Sequence, residues 1–88
     1  MAHFAISYDL VKSRNYKRII DEIERLGGCR IVESVYFITL PWTTAQVRDH
    51  FSRFIDDDDL MVVIPIGGRP FYSRAYTLGT NWIKKHFP

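Results

Sequence analysis

Four adjacent carboxylates, Asp56 to Asp59, precede the apolar run LMVVIPIGG and are the densest candidate for metal chemistry in the chain. A catalytic divalent cation takes oxygen ligands that converge from separate segments, whereas neighbouring loop residues point in different directions. The run also lacks the midway glycine and terminal glutamate of a calcium-binding EF-hand loop. It reads as a solvated connection from helix to strand, whose charge also discourages mispairing of the apolar strand that follows. Asp9 is better placed. It closes the alternating segment HFAISYDL, where a carboxylate is held by a rigid strand and still meets solvent. Such a residue either caps the next turn by accepting backbone N–H bonds or takes part in chemistry. A single carboxylate makes a poor metal site, but a two-fold dimer can bring two copies of Asp9 to one ion.

The cations Lys12, Arg14, Lys17 and Arg30 lie near Asp9 in sequence or topology, and they either neutralise phosphates or form a solvated surface. His3, His50 and His86 show no metal-ligand spacing, and His50 sits beside the apolar face of a helix, which suits a structural role. Trp82, Tyr72 and Tyr76 can stack bases or pack in a core or dimer contact. No nucleophile–base pair, phosphate-binding loop or glycine-rich dinucleotide fingerprint is present.

The elements that must position these residues follow from periodicity. The 88 residues suit a single domain spanning 1–88, small enough that stability borrowed from a second subunit would be unsurprising. Net charge is +2, compatible with a polyanionic partner without requiring one. The lone Cys29 forms no internal disulfide and fits a reducing compartment. The N-terminus reads as a strand, not a leader, and no apolar run reaches the roughly 20 residues of a membrane span. A soluble, cytoplasmic protein is expected.

Phe4, Ile6 and Tyr8 alternate against His3, Ala5 and Ser7 as in a strand. Tyr16, Ile19, Ile20, Ile23 and Leu26 then follow helical spacing, with Arg18, Asp21, Glu22 and Arg25 facing out and Gly27-Gly28 as the stop. CRIVESVYFITL is extended and divided into two strands at Glu33-Ser34. A capping box (Thr43 with Gln46) and a staple (Trp42 with Val47) open a second helix, whose face carries Val47, Phe51, Phe54 and Ile55. LMVVIPIGG reads as a buried strand, RPFYSRAYTLG as a short last strand, and TNWIKKHF as one helical turn or a frayed end. The predicted fold is α+β and ferredoxin-like, βαββαβ: a four-stranded antiparallel sheet with two helices on one face plus a short C-terminal strand or tail. The other face carries apolar residues such as Val35 and Phe37 and needs a partner, most simply a second copy.

SYDL at a strand end, a basic loop and helix, and then RIVESVYFITL together resemble the CRISPR-associated Cas2 and virulence-associated protein D superfamily, over roughly Phe4 to Ile66. The resemblance implies a ferredoxin-like homodimer in which Asp9 matches the aspartate that holds Mg²⁺ or Mn²⁺ between two copies. It places Ser34 near the same cleft. Tyr36 stands where relatives often have phenylalanine, and Glu33 where many have glutamine, which adds negative charge beside the cleft. The tail strand often joins the partner's sheet, a role open to FYSRAY. Implied activities divide between a metal-dependent endonuclease on RNA or DNA, with Asp9 and Ser34 at the reaction centre and Lys12, Arg14, Lys17 and Arg30 on the nucleic acid, and a non-catalytic dimer. The latter positions nucleic acid for an integrase-like or other protein partner, in a CRISPR, toxin or mobile-element setting.

Overall fold

The computed structural model describes residues 1–11 and 15–88. Its elements run β1 (Ala2–Asp9), α1 (Tyr16–Arg25), β2 (Cys29–Val32), β3 (Val35–Leu40), α2 (Thr44–Ser52), β4 (Leu60–Ile66) and α3 (Thr77–His86). The strands form one antiparallel sheet in the order β2-β3-β1-β4. This is the ferredoxin-like arrangement expected, with α3 added. Strand β1 is central, its His3–Ser7 stretch pairing with both β3 and β4. The two-residue period sends Phe4, Ile6, Tyr8, Tyr36, Ile38 and Leu40 to one face, where they meet Ile19 and Ile23 of α1 and Val47 and Phe51 of α2. Each large apolar side chain buried there contributes about 1.5–3 kcal/mol.

Local signals set the element ends. Gly27 takes φ 89°, and the Gly28 N–H donates to the Ile23 carbonyl at 2.8 Å, so α1 stops where the glycines begin. The capping box of α2 closes in both directions: Gln46 N–H donates to Thr43 Oγ1 at 3.1 Å, and Thr43 N–H to Gln46 Oε1 at 2.9 Å. Glu33 and Ser34 form the turn between β2 and β3. Phe54 and Ile55 lie past the end of α2 yet still pack on the core.

Three expectations are corrected. First, β4 is an edge strand, not a buried one: Leu60, Val62 and Ile64, on the face away from α1 and α2, are 63%, 51% and 51% exposed. Second, RPFYSRAYTLG forms no strand, and the tail instead folds into the ten-residue helix α3. Trp82 and Ile83 of α3, with Phe87 just past its end, pack with Ile31, Phe37, Cys29 and Ile66, so part of the second sheet face is covered by the chain itself. Close approach is allowed by Gly79, whose missing Cβ would lie 2.8 Å from the Arg30 carbonyl oxygen and 3.0 Å from Ile31 Cα.

Third, Glu22 does not face solvent; it is 7% exposed. Its carboxylate accepts two bonds from the Arg25 guanidinium at 2.7 Å each, and His50 Nε2 of α2 lies 2.6 Å from Oε2. Buried charge is tolerated only when paired. The Arg25 bonds, helped by His50 and opposed by burial, draw the Glu22 carboxyl down to about 2 from its ordinary 4.5. Because the folded value lies below the unfolded one, the contribution is complete above pH 4.5 and is lost as pH falls toward about 2. Glu22→Gln is expected to cost about 2 kcal/mol at neutral pH. It should also flatten the acid limb of stability, as urea melts between neutral pH and pH 2 will show; an unchanged limb refutes the assignment.

Candidate functional site

Antiparallel pairing places the end of β1 beside the β2–β3 turn, because β3 lies between β1 and β2 and Ser7 pairs with Val35 at the start of β3. The consequence is one concavity of about 320 Å³ lined by Tyr8, Asp9, Tyr16, Arg30, Glu33 and Ser34. Asp9, Ser34 and Arg30, singled out separately in the sequence, therefore share a cleft. Asp9 is exposed at the strand end, opposite Leu60 in the register with β4.

Aromatic rings and Arg30 build the inner wall. Arg30 pairs with Tyr36 across the β2–β3 ladder, and its Nε–H donates to the Tyr36 hydroxyl at 2.9 Å, with the guanidinium carbon 5.3 Å from the ring centroid. This bond adds to the already high basicity of Arg30, so its charge is permanent. It occupies one donor of five and leaves the terminal amino groups to meet an anion. Tyr8 stacks on Tyr36 with centroids 5.9 Å apart and lies 5.7 Å from Tyr16. Burial first, and a hydrogen bond with Tyr36 second, push the Tyr8 hydroxyl well above its ordinary value, so it stays protonated. Periodicity assigns Tyr8 and Tyr16 to the core, and nothing in the sequence marks them as cleft residues.

The remaining candidates fall elsewhere. Lys12 and Arg14 lie outside the described residues. Lys17 points along α1, its Nζ 2.6 Å from Asp21 one turn on, and it does not line the cleft. The acid run is a turn: Asp59 accepts the Val11 N–H and the Asp56 N–H at 2.7 Å each, tying the α2–β4 connection to the chain leaving β1. Among the described residues no group of three or more His, Cys, Asp or Glu side chains is arranged to hold a metal ion. His50 is a structural residue bound to Glu22, as its position beside an apolar face suggests. Trp82 belongs to the core beneath α3, whereas Tyr72 and Tyr76 stay exposed. Among the described residues no helix is long and apolar enough to cross a membrane.

A ferredoxin-like sheet with an aspartate, an arginine and a serine gathered at one end defines a small α+β protein built around a polar terminal cleft. The family model described as CRISPR associated protein Cas2 matches residues 1–84. The chain belongs to the Cas2 family of CRISPR-associated proteins, as the SYDL and RIVESVYFITL segments suggest. Among solved structures, the crystal structure of a hypothetical protein TT1823 from Thermus thermophilus is similar, with a TM-score of 0.67 and 18% identity over 85% of this chain and 94% of that one. At that identity the likeness speaks for the fold alone.

Proposed function

We propose that this chain acts as a homodimeric, divalent-metal-dependent endonuclease on RNA or DNA phosphodiesters. The observation that carries the reading is the convergence of Asp9, Arg30 and Ser34 in one cleft. Arg30 presents a permanent cation to a phosphate, and the Ser34 hydroxyl can donate to a phosphate oxygen. Pairing of two copies is supported by the exposed row Leu60, Val62 and Ile64, which lies on the same sheet face as Ala5, Ser7 and Asp9.

One chain offers too few ligands for a tightly caged ion. Mg²⁺, however, keeps several waters and is commonly held by one or two carboxylates, so two Asp9 carboxylates brought together by two copies would be enough to hold it. An ion held there supplies Lewis-acid stabilisation of phosphate charge and a water of lowered pKa. Glu33 adds negative charge at the rim, and Tyr8, held neutral, adds a hydrogen-bonding group without further charge.

Metal removal tests the proposal. Cleavage of labelled RNA or DNA is expected to stop in EDTA and to return with Mg²⁺ or Mn²⁺, while light scattering gives a dimer. Cleavage indifferent to chelation, or a strict monomer at micromolar concentration, overturns it. The second reading is a non-catalytic dimeric adaptor for nucleic acid or an integrase-like partner. A single strand-end carboxylate per chain and the modest net charge of +2 favour it. It predicts salt-sensitive binding without cleavage under any divalent ion.

A further inference from the structure

Arg30 lines two concavities. One is the Asp9–Ser34 cleft; the other is a groove of about 790 Å³ between α3, the edge strand β2 and the end of α1. We infer that this groove is a track for the single-stranded flank of a nucleic acid seated in the cleft, with Tyr76 stacking a base and Lys85 meeting a phosphate. The inference rests on the nucleic-acid reading above and adds where the strand leaves the site.

The chemistry of the lining supports it. Leu78 and Trp82 give an apolar floor, Asn81 supplies a side-chain amide, and Arg30 and Lys85 add two cations against one carboxylate, Glu24. Tyr76 is 45% exposed at the start of α3. Trp82 is not the platform, since its ring stacks on His86 with centroids 3.8 Å apart and its Nε1–H donates to the Gly27 carbonyl at 3.0 Å. An exposed aromatic ring beside cations is what sequence-tolerant binding of single strands requires, because every base has a π-face and every link a phosphate. The size falls in the range of about 300–1,000 Å³ typical of ligand sites.

The main competitor is an extended peptide added to the edge of β2. That mode needs free backbone groups, and the tail already takes one carbonyl of this short strand and another in the turn just before it. The Tyr76 N–H donates to Ile31 O at 3.0 Å, and Trp82 takes Gly27 O. Continuity with the cleft through Arg30 and the excess of cations therefore favour a polyanion over a strand of protein.

The test is fluorescence anisotropy of labelled single-stranded oligonucleotides, RNA and DNA in parallel, in EDTA at fixed salt. Lengths of about 6 and about 15 nucleotides bracket the cleft alone and the cleft plus track. Wild type is expected to bind the longer strand more tightly. Tyr76→Ala should remove about tenfold of that affinity, the size of one lost base–aromatic stack, and Tyr76→Phe should retain it. Lys85→Ala should weaken long-strand binding and lower its salt slope by about 1. Both side chains are exposed, and matching thermal melts confirm that the variants fold. The track belongs to whichever of RNA and DNA shows the Tyr76-dependent gain. Wild-type affinity in both alanine variants, or an equal loss for both lengths, overturns the track while leaving the cleft reading intact. The first of these results leaves the groove to a protein partner. If neither length binds, the nucleic-acid reading itself is overturned.

Discussion

Asp9→Asn is expected to reduce metal-dependent cleavage by about a hundredfold or more while leaving the melting temperature unchanged. Removing a group that merely orients a metal ligand costs about 10- to 100-fold, and loss of a ligand itself should cost at least that. In a dimer both copies lose their carboxylate together, so the ion loses both protein charges. The fold has little to lose. Asp9 is exposed at the last position of β1, and asparagine keeps both its shape and the backbone pairing with Leu60. The measurement is a time course on labelled RNA and DNA across a Mg²⁺ titration, with thermal melts alongside. Equal cleavage by variant and wild type removes Asp9 from the mechanism. If neither cleaves but both bind, the adaptor reading stands.

The second large effect is on the fold. Gly79→Val is expected to detach α3 and cost about 3 kcal/mol, lowering Tm by more than about 10 °C. Two terms compete. A residue other than glycine gains up to about 1 kcal/mol of helix propensity, most for alanine and less for valine. Against this, a Cβ at position 79 meets the Arg30 carbonyl oxygen at 2.8 Å and Ile31 Cα at 3.0 Å. Both are backbone atoms of a sheet strand and cannot rotate away, so the helix must move. Moving it uncovers Ile31, Ile83, Trp82 and Phe87. The clash therefore wins, and Gly79→Ala should fall between valine and wild type. Hydrogen exchange will resolve it: α3 amides lose protection in the valine variant while β1 amides keep theirs. Undiminished protection in α3 contradicts the close-approach account.

Parts of this molecule were legible in one dimension and parts were not. β1 and β3 show their two-residue alternation directly, and the Thr43–Gln46 box announces α2, because these signals lie within a few residues of one another. The ferredoxin-like order follows from those elements alone. Glu22 reads as solvent-facing because its neighbours in sequence form an exposed helical face. What makes its burial possible is His50, 28 positions away and contributed by another helix. The sequence shows α3 as no more than one helical turn over TNWIKKHF for a similar reason. TLGTNWIKKH has a glycine in its first turn and only a weak apolar stripe, and its helix is held by docking onto β2, not by propensity.

The candidate site divides along the same line. Asp9 could be picked out because a carboxylate at a strand end has a fixed position and meets water. Arg30 and Ser34 become its neighbours only through the strand order, which sets the β2–β3 turn against the end of β1. The acidic run draws attention by density, yet its carboxylate Asp59 is spent on two backbone amides of the surrounding loops. The α3 groove had no signature, since its residues come from the end of α1, from β2 and from the tail.

The way the tail seals one side of the sheet bears on how copies can multiply. A sheet with two bare edges can grow from either side, and each added copy exposes a fresh edge, which is the geometry of a fibre. Here the Ile31 carbonyl of β2 is engaged by the Tyr76 N–H, the Gly27 carbonyl just ahead of the strand by Trp82, and Gly79 lies against the Arg30 carbonyl, so the tail covers the β2 side. Edge-to-edge growth is left with β4 alone. If copies join through that open edge, each pair uses up the edge of both members, so growth by this route would end at two.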